Sequence, residues 1–503
     1  LKRIRGIAAV EPRHVAAQRL TPADRLSTSS ARGVDEAYAT MPNRLTRCDM
    51  AKPTLFFLHA LGASRQEWSH VIAQLGSRFD CIALDIPGFG DAPALDHFDT
   101  NALVDWFSAE VIRRQPACWF AVGHSMGGKI ATLTAARARD GVAGLAGLAG
   151  VVLVAASPPA PEPMQEPRRR TMLAWFETGQ PARVEAAQFV DANCACPLPD
   201  EIRDAAINDV LRTAPSAWMA WLTHGSREDC TAQTGCIGVP ALIVAGSQDG
   251  DLGEAAQRRL NAPHYAHAQF AIVADAAHLI PYEQPQELAR LIATHVDRCI
   301  ENCLPEDFIV LLNSERVAPR MRKTLLARHA GPPASGEGVL NPRQLNVLAA
   351  VAARVLDGAG DAAQIARRID LQLAEGTGDG WRYADLPDDR LAMALGLDAL
   401  DALAGGFAEQ SAKDQDRWLQ EIAHSVVGNT SAHGLDAGQF AHWFEDVRAD
   451  VVRTWTSLPA TMAALGYDGF AVGNDTGSGP VGYVETAAGR DEHWQLRAPE
   501  TAQ

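Results

Sequence analysis

One serine stands among residues with almost no side chain. The stretch Ala121–Ile130 reads AVGHSMGGKI, which puts Gly123 two residues before Ser125 and Gly127 two after it. A serine hydroxyl is a weak nucleophile. It becomes effective when a histidine takes its proton and a carboxylate orients that histidine. Two further stretches supply those groups: Asp249 and Asp251 in AGSQDGD, and His278 in ADAAHLIPYEQP. The chain order serine, acid, histidine matches one known arrangement, in which glycines flank a serine on a sharp strand-to-helix turn. Such a turn forces the serine backbone into a strained conformation and leaves no room for bulk two residues away on either side. It also aims the amino end of the next helix, with its free N–H groups, at the space where an oxyanion would develop. On residue types alone the acid stays open between Asp249 and Asp251.

G-x-S-x-G occurs by chance in many chains, so the elements around it matter more than the motif. Ser125 directly follows the apolar run Trp119–Val122, Asp249 follows Ala241–Ala245, and His278 follows AQFAIV. With Thr54–Leu58, a run near Cys81–Leu84 and LAGVVLVAASPP, which runs on into prolines, these make six apolar runs of four to six residues, separated by helical patterns. Parallel strands covered on both faces read this way, without polar alternation, so the expected fold is α/β with a mostly parallel sheet between helices. In open sheets of this kind ligands bind at the carboxyl ends of the strands, where all three groups fall.

Between Ser157 and Pro240 the strand rhythm breaks into helical, aromatic text, EPRRRTMLAWFETG and PSAWMAWLTHG. A helical cap over the carboxyl edge is expected there. Trp175, Phe176, Trp218 and Trp221 would shape an apolar pocket beside His59 and His124. After His295 the strands stop, GPPASGEGVLNP reads as a connection, and the remainder is mainly helical. The expected organisation is an extension over 1–49, an α/β core over 50–157 and 237–298, a cap over 158–236, a linker region over 299–342, and a helical domain over 343–503.

Composition narrows the function classes. The 503 residues carry a net charge of −16, which argues against a general nucleic-acid or anionic-membrane binder. No run of about 18 apolar residues predicts a membrane span. The basic start lacks the apolar stretch of a signal peptide, so a cytoplasmic location is expected, or a periplasmic one through an exported partner. The nine cysteines are scattered. The spacings of Cys194, Cys196, Cys230 and Cys236 do not match paired zinc knuckles, so neither a metal nor a cofactor is expected.

Residues from about Thr54 to Val296 resemble the α/β-hydrolase superfamily. FFLHALGASRQEW is similar to its oxyanion segment, LDIPGFGDA to the loop after the next strand, and HLIPYEQPQELARLI to its closing histidine and helix. The resemblance implies Ser125 as nucleophile, His278 as base and Asp249 as acid, with the N–H groups of Leu61 and Met126 as oxyanion hole. The family's His-Gly is His59-Ala60 here. Serine in place of aspartate sets the chain apart from the superfamily's dehalogenases and epoxide hydrolases. What remains is hydrolysis of a carboxylic ester or lactone through an acyl-enzyme, with carbon–carbon bond hydrolysis as the alternative.

WRYADLPDD, LDAGQFAHWFEDVRADVVRTWTSLPATMAALGYDGFA and the closing RDEHWQL, spread from about Glu315 to Leu496, resemble the small, third subunit of gluconate 2-dehydrogenase. That implies a flavoprotein dehydrogenase as a partner and a third reading, a partner or maturation subunit. Trp443, Phe444, Trp455 and Tyr467 would then be either a docking face or the core of a helical bundle.

Overall fold

In the computed structural model, residues 52–300, 302–314, 316–331, 336–378, 380–427 and 434–470 are described. The expected extension 1–49 and the closing RDEHWQL lie outside them. The hydrolase-like part is a six-stranded, wholly parallel sheet in the order β2-β1-β3-β4-β5-β6. The strands are β1 Thr54–Leu58, β2 Asp80–Leu84, β3 Trp119–His124, β4 Leu148–Val154, β5 Ala241–Gly246 and β6 Ala268–Val273.

The apolar runs lack polar alternation because each strand feeds two cores. Phe56, Trp119, Ala121, Val151, Leu153 and Ile243 pack on one face. Leu55, Phe57, Phe120, Val122, Val152, Val154 and Val244 pack on the other. β3 lies inside the sheet, and the helix that follows it, Met126–Arg139, is buried along nearly its whole length.

Between β4 and β5 the chain forms helices Glu166–Ala174, Arg183–Asp191, Asp200–Leu211 and Pro215–Ala220, then a π-helical turn at Trp221–Gly225. Their apolar faces join the first core through Met172, Phe176, Val190, Ile207, Trp218 and Leu222. Two buried cations fasten the insertion by its backbone. Lys129 donates to the carbonyls of Gly225 and Glu228, and Arg169 donates to the Leu222 carbonyl and the Ser226 hydroxyl. Burial lowers the Lys129 pKa, against the pull of nearby Cys230 and Glu228.

The stretch 299–342, expected as a linker, carries two helices, Glu306–Asn313 and Pro319–Ala330. Their apolar residues Phe308, Leu312 and Leu325 cluster with Ala146 of the sheet domain and with Phe470 near the far end of the helical part. The turn between them is built around Arg322, which is 3% exposed. Its guanidinium donates to the carbonyls of Leu312, Ser314 and Val317, and to Gly141 across in the sheet domain. Asn313 accepts from the Gly144 and Ala146 N–H groups. The contacts to Gly141, Gly144 and Ala146 are long-range in sequence, which is why the stretch reads as a connection.

The helical part has its own core, made by helices Pro342–Val355, Ala362–Glu375, Asp389–Ala404, Ala412–Ala423 and Ala437–Thr456. Trp443 and Phe444 are buried in it, and Trp443 lies flat against Gly396, where a Cβ would come within 2.1 Å of the indole. Trp455 is half-buried, while Tyr467 is 49% exposed. Of the four aromatics, Trp443 and Phe444 therefore belong to the bundle core.

Arg322→Ala should lower stability by about 3 kcal/mol, because several buried carbonyls lose a charged donor. Lys323→Ala removes an exposed pair with Asp140 and should stay within about 0.5 kcal/mol of the parent. Urea unfolding of the full chain separates the two, and equal effects would refute the role given to Arg322.

Candidate active site

At the end of β3 the chain reverses through Ser125, whose backbone stands at φ 48° and ψ −117°. A non-glycine residue there carries roughly 1–3 kcal/mol of strain. The neighbouring glycines are required by contact. A Cβ on Gly123 would lie 2.4 Å from the Gly127 carbonyl oxygen, and one on Gly127 would lie 2.4 Å from that of Leu58. One on Gly128 would meet Ala156 at 2.3 Å. The turn is held by its own backbone: Ser125 N–H donates to the Val154 carbonyl, while its carbonyl accepts from Gly128 and Ser157.

The Ser125 hydroxyl lies 3.0 Å from Nε2 of His278, and Nδ1 of that ring lies 2.8 Å from Oδ2 of Asp249. The other Asp249 oxygen accepts from the Asp251 and Leu252 N–H groups. Asp251 itself turns outward to an ion pair with Arg168. The structure thus joins Ser125, His278 and Asp249 in one chain of hydrogen bonds and leaves Asp251 outside it.

The electrostatics follow from this geometry. Burial pushes the Asp249 pKa up, but the His278 charge and bond and the two N–H groups outweigh it, so the net shift is downward. Burial likewise pulls the His278 pKa down. The Asp249 charge and hydrogen bond, with Glu162 nearby, overcome it and the opposing Arg168, so the net shift is upward.

His59 and His124, expected as pocket walls, are neither exposed nor free. His59 is fully buried, with Nδ1 on the Ala60 carbonyl and Nε2 accepting from Ile86 N–H. Burial lowers its pKa despite the Ala60 bond. It fixes the segment Ala60-Leu61 against the loop after β2. His124 is also fully buried, with Nδ1 2.9 Å from Glu67 Oε1 and Nε2 2.8 Å from the His278 carbonyl. Both histidines brace the site because their ring nitrogens are already used.

Glu67 lies in the FFLHALGASRQEW segment, but its residue type alone does not mark the role it takes here. Its second oxygen accepts from the Ala60 N–H at 3.3 Å. One buried carboxylate therefore supports the segment before Leu61 and, through His124, the backbone of His278. His124 must donate from Nε2 to a carbonyl, so a single proton lies between its Nδ1 and Glu67.

The insertion completes the support of His278. The His278 and Leu279 N–H groups both donate to the carbonyl of Asn193, and Glu283 bridges the N–H groups of Ala195 and Ala277. Above the Leu61 segment, Trp218 stacks on Phe176 with ring centroids 4.4 Å apart and donates to the Met172 carbonyl. A Cβ on Gly62 would meet Trp218 at 2.9 Å. Phe176, Trp218 and Trp221 are at most 2% exposed and Trp175 is half-buried, so the first three fill the core between insertion and sheet. Leu61 is 7% exposed, and Met126 opens its helix, where an N–H has no intrahelical acceptor. Among the described residues, no group of three or more His, Cys, Asp or Glu side chains is arranged to hold a metal ion.

Comparison with known proteins assigns the two parts of the chain to families. Residues 55–291 match the alpha/beta hydrolase family, and residues 342–470 match gluconate 2-dehydrogenase subunit 3. A pimeloyl-[acyl-carrier protein] methyl ester esterase of Neisseria meningitidis serogroup A is 30% identical over 234 residues, which is 44% of this chain and 73% of the relative. The protein of the same name from Chromobacterium violaceum is 38% identical over 106 residues, 21% of this chain and 38% of its own length. Among solved structures, a thermophilic esterase from Thermogutta terrifontis aligns at 22% identity over 49% of this chain and 90% of its own, with a TM-score of 0.42. The chain belongs to the alpha/beta hydrolase family, and its C-terminal part carries the gluconate 2-dehydrogenase subunit 3 domain.

Two outcomes follow. With histidine-selective isotope labelling, the His278 ring should titrate above its ordinary value of about 6.5; in Asp249→Asn burial and Arg168 are opposed only by Glu162, and the midpoint should fall. An unchanged midpoint would separate Asp249 from His278. Glu67→Gln can keep both bonds, its amide oxygen accepting from Ala60 and its amide nitrogen donating to His124. Glu67→Leu strands two buried polar groups and should cost about 3 kcal/mol in urea unfolding, against about 1 kcal/mol or less for the glutamine variant.

Proposed function

We propose that this alpha/beta hydrolase cleaves a carboxylic ester, open-chain or lactone, through an acyl-enzyme on Ser125. The observation that carries the proposal is the hydrogen-bonded chain from the Ser125 hydroxyl through His278 to Asp249. Ser125 attacks the carbonyl carbon as His278 takes its proton. Asp249 holds the imidazole with its proton on Nδ1 and balances the imidazolium that forms. The N–H groups of Leu61 and Met126 stabilise the tetrahedral oxyanion. His278 then protonates the leaving alcohol, and water, activated by the same base, releases the acid. The insertion between β4 and β5 acts as the cap over the site, and its Asn193 carbonyl holds the backbone of His278 in place. The names of the two relatives given above, both methyl ester esterases, support an ester with a small alcohol over a carbon–carbon bond.

The C-terminal domain favours a second role beside the first. Its match to a dehydrogenase subunit supports association with a flavoprotein dehydrogenase, and its exposed Tyr467, rather than the buried Trp443 and Phe444, is available at such a surface. Co-purification with a cognate flavoprotein subunit tests it.

A serine-directed phosphonate should label Ser125, and turnover of methyl and aryl esters and of lactones should exceed that of diketones with cleavable carbon–carbon bonds. Ser125→Ala should keep the fold and lose activity by a factor on the order of 10⁴ to 10⁶. A variant retaining a tenth of the parental rate, or turnover confined to the diketones, would overturn the proposal.

A further inference from the structure

Far from Ser125, at the amino end of β3, lies a thiol cluster with no part in the chemistry above. Cys118 immediately precedes β3 and Cys303 follows helix Pro285–Ile300, 185 residues later. Their sulfurs stand 2.7 Å apart. That is closer than two sulfurs rest in simple contact, and a small displacement from the covalent length of about 2.05 Å. Both are free thiols here, Cys118 8% exposed and Cys303 half-buried. Cys299 lies behind them, its sulfur 3.7 Å from Nε2 of His295.

Cys118 borders a cleft, and Cys303 is itself half-buried. A surface cleft of about 460 Å³, lined by Lys52, Phe79, Gln115 and Glu306 among others, has Cys118 in its wall. Glu306 begins the first of the two helices that join the sheet domain to the helical domain. The thiol pair therefore sits where the chain leaves the sheet.

We propose that Cys118 and Cys303 form a redox-active dithiol site whose substrate is a low-molecular-weight disulfide. The thiolate of Cys303, the more exposed, attacks one sulfur of that disulfide. It forms a mixed disulfide and releases the first small thiol. Cys118 Sγ, giving up its proton to the departing small thiolate as it closes, then attacks Cys303 Sγ, forms the protein disulfide and releases the second thiol. Each protein thiol gives up one proton, the protein is oxidised by two electrons, and the small disulfide is reduced to two thiols. The bond closes a loop that holds β3 to β6 and the insertion, and a cross-link over so long a loop restricts the unfolded chain strongly. It fastens the start of the joining helices to β3. The covalent change is at the amino end of the strand and Ser125 is beyond its carboxyl end, so hydrolysis is untouched.

The full chain, purified reduced, is incubated with oxidised glutathione and examined by intact mass and peptide mapping. The expected product is lighter by two hydrogens, contains the Cys118–Cys303 cross-linked peptide, and reverts with dithiothreitol. Its unfolding midpoint should rise by about 5–10 °C. Cys118→Ser and Cys303→Ser should each abolish the cross-link and the rise, while Cys299→Ser preserves both. Recovery of both thiols free, a persistent glutathione adduct on Cys303, or a Cys299–Cys303 cross-link in their place would overturn the proposal. None of these readouts depends on ester hydrolysis, so the two proposals fail separately.

Discussion

The backbone of Ser125, held at φ 48° between a buried strand and a buried helix, is the constraint on which the rest of the site depends. A strained residue persists only where its surroundings over-determine it. Here three glycines allow Leu58, Ala156 and the start of the next helix to close in at distances a methyl group would forbid. The N–H and C=O of Ser125 are tied to Val154, Gly128 and Ser157. The hydroxyl can therefore point only above the carboxyl edge of the sheet, and every other group must come to it.

Those other groups stand on loops, which have little rigidity of their own. The structure supplies it from outside. His278 has its N–H held by Asn193 of the insertion, its carbonyl by His124 of the nucleophile turn, and its ring by Asp249 and Ser125. Glu67 links the His124 brace to Ala60. The insertion is thus more than a cover over the sheet, since its backbone is part of what positions the base. A change in the insertion that shifts Asn193 would alter the geometry at His278 without touching any group in the hydrogen-bonded triad.

The helical domain meets the sheet domain through a short, packed joint. Arg322, with its carbonyl partners in both the joining turn and the sheet domain, converts a stretch with a linker's composition into a fixed element. A buried guanidinium satisfied by carbonyls specifies one arrangement of the chains around it, because any other leaves the charge unsolvated.

Much of this is local and therefore legible in the sequence. A parallel strand covered on both faces must be apolar throughout, so six short runs mark the sheet. A strained turn must be flanked by glycine, so Gly123, Gly127 and Gly128 mark Ser125. Chain order marks an aspartate of AGSQDGD and His278 as its companions. What the sequence leaves open depends on contacts between distant segments. The choice of Asp249 over Asp251 is decided by which carboxylate the folded loop turns inward. His59 and His124 read as open-site histidines, and become braces only because Ile86, Glu67 and the His278 backbone reach their ring nitrogens. Glu67, though inside FFLHALGASRQEW, and Asn193 carry no mark of their roles, and Trp443 is core rather than surface because Gly396 on another helix leaves space for it. A side chain's type and its near neighbours are written in the chain, but the partner that fills its last hydrogen bond is brought by tertiary packing alone.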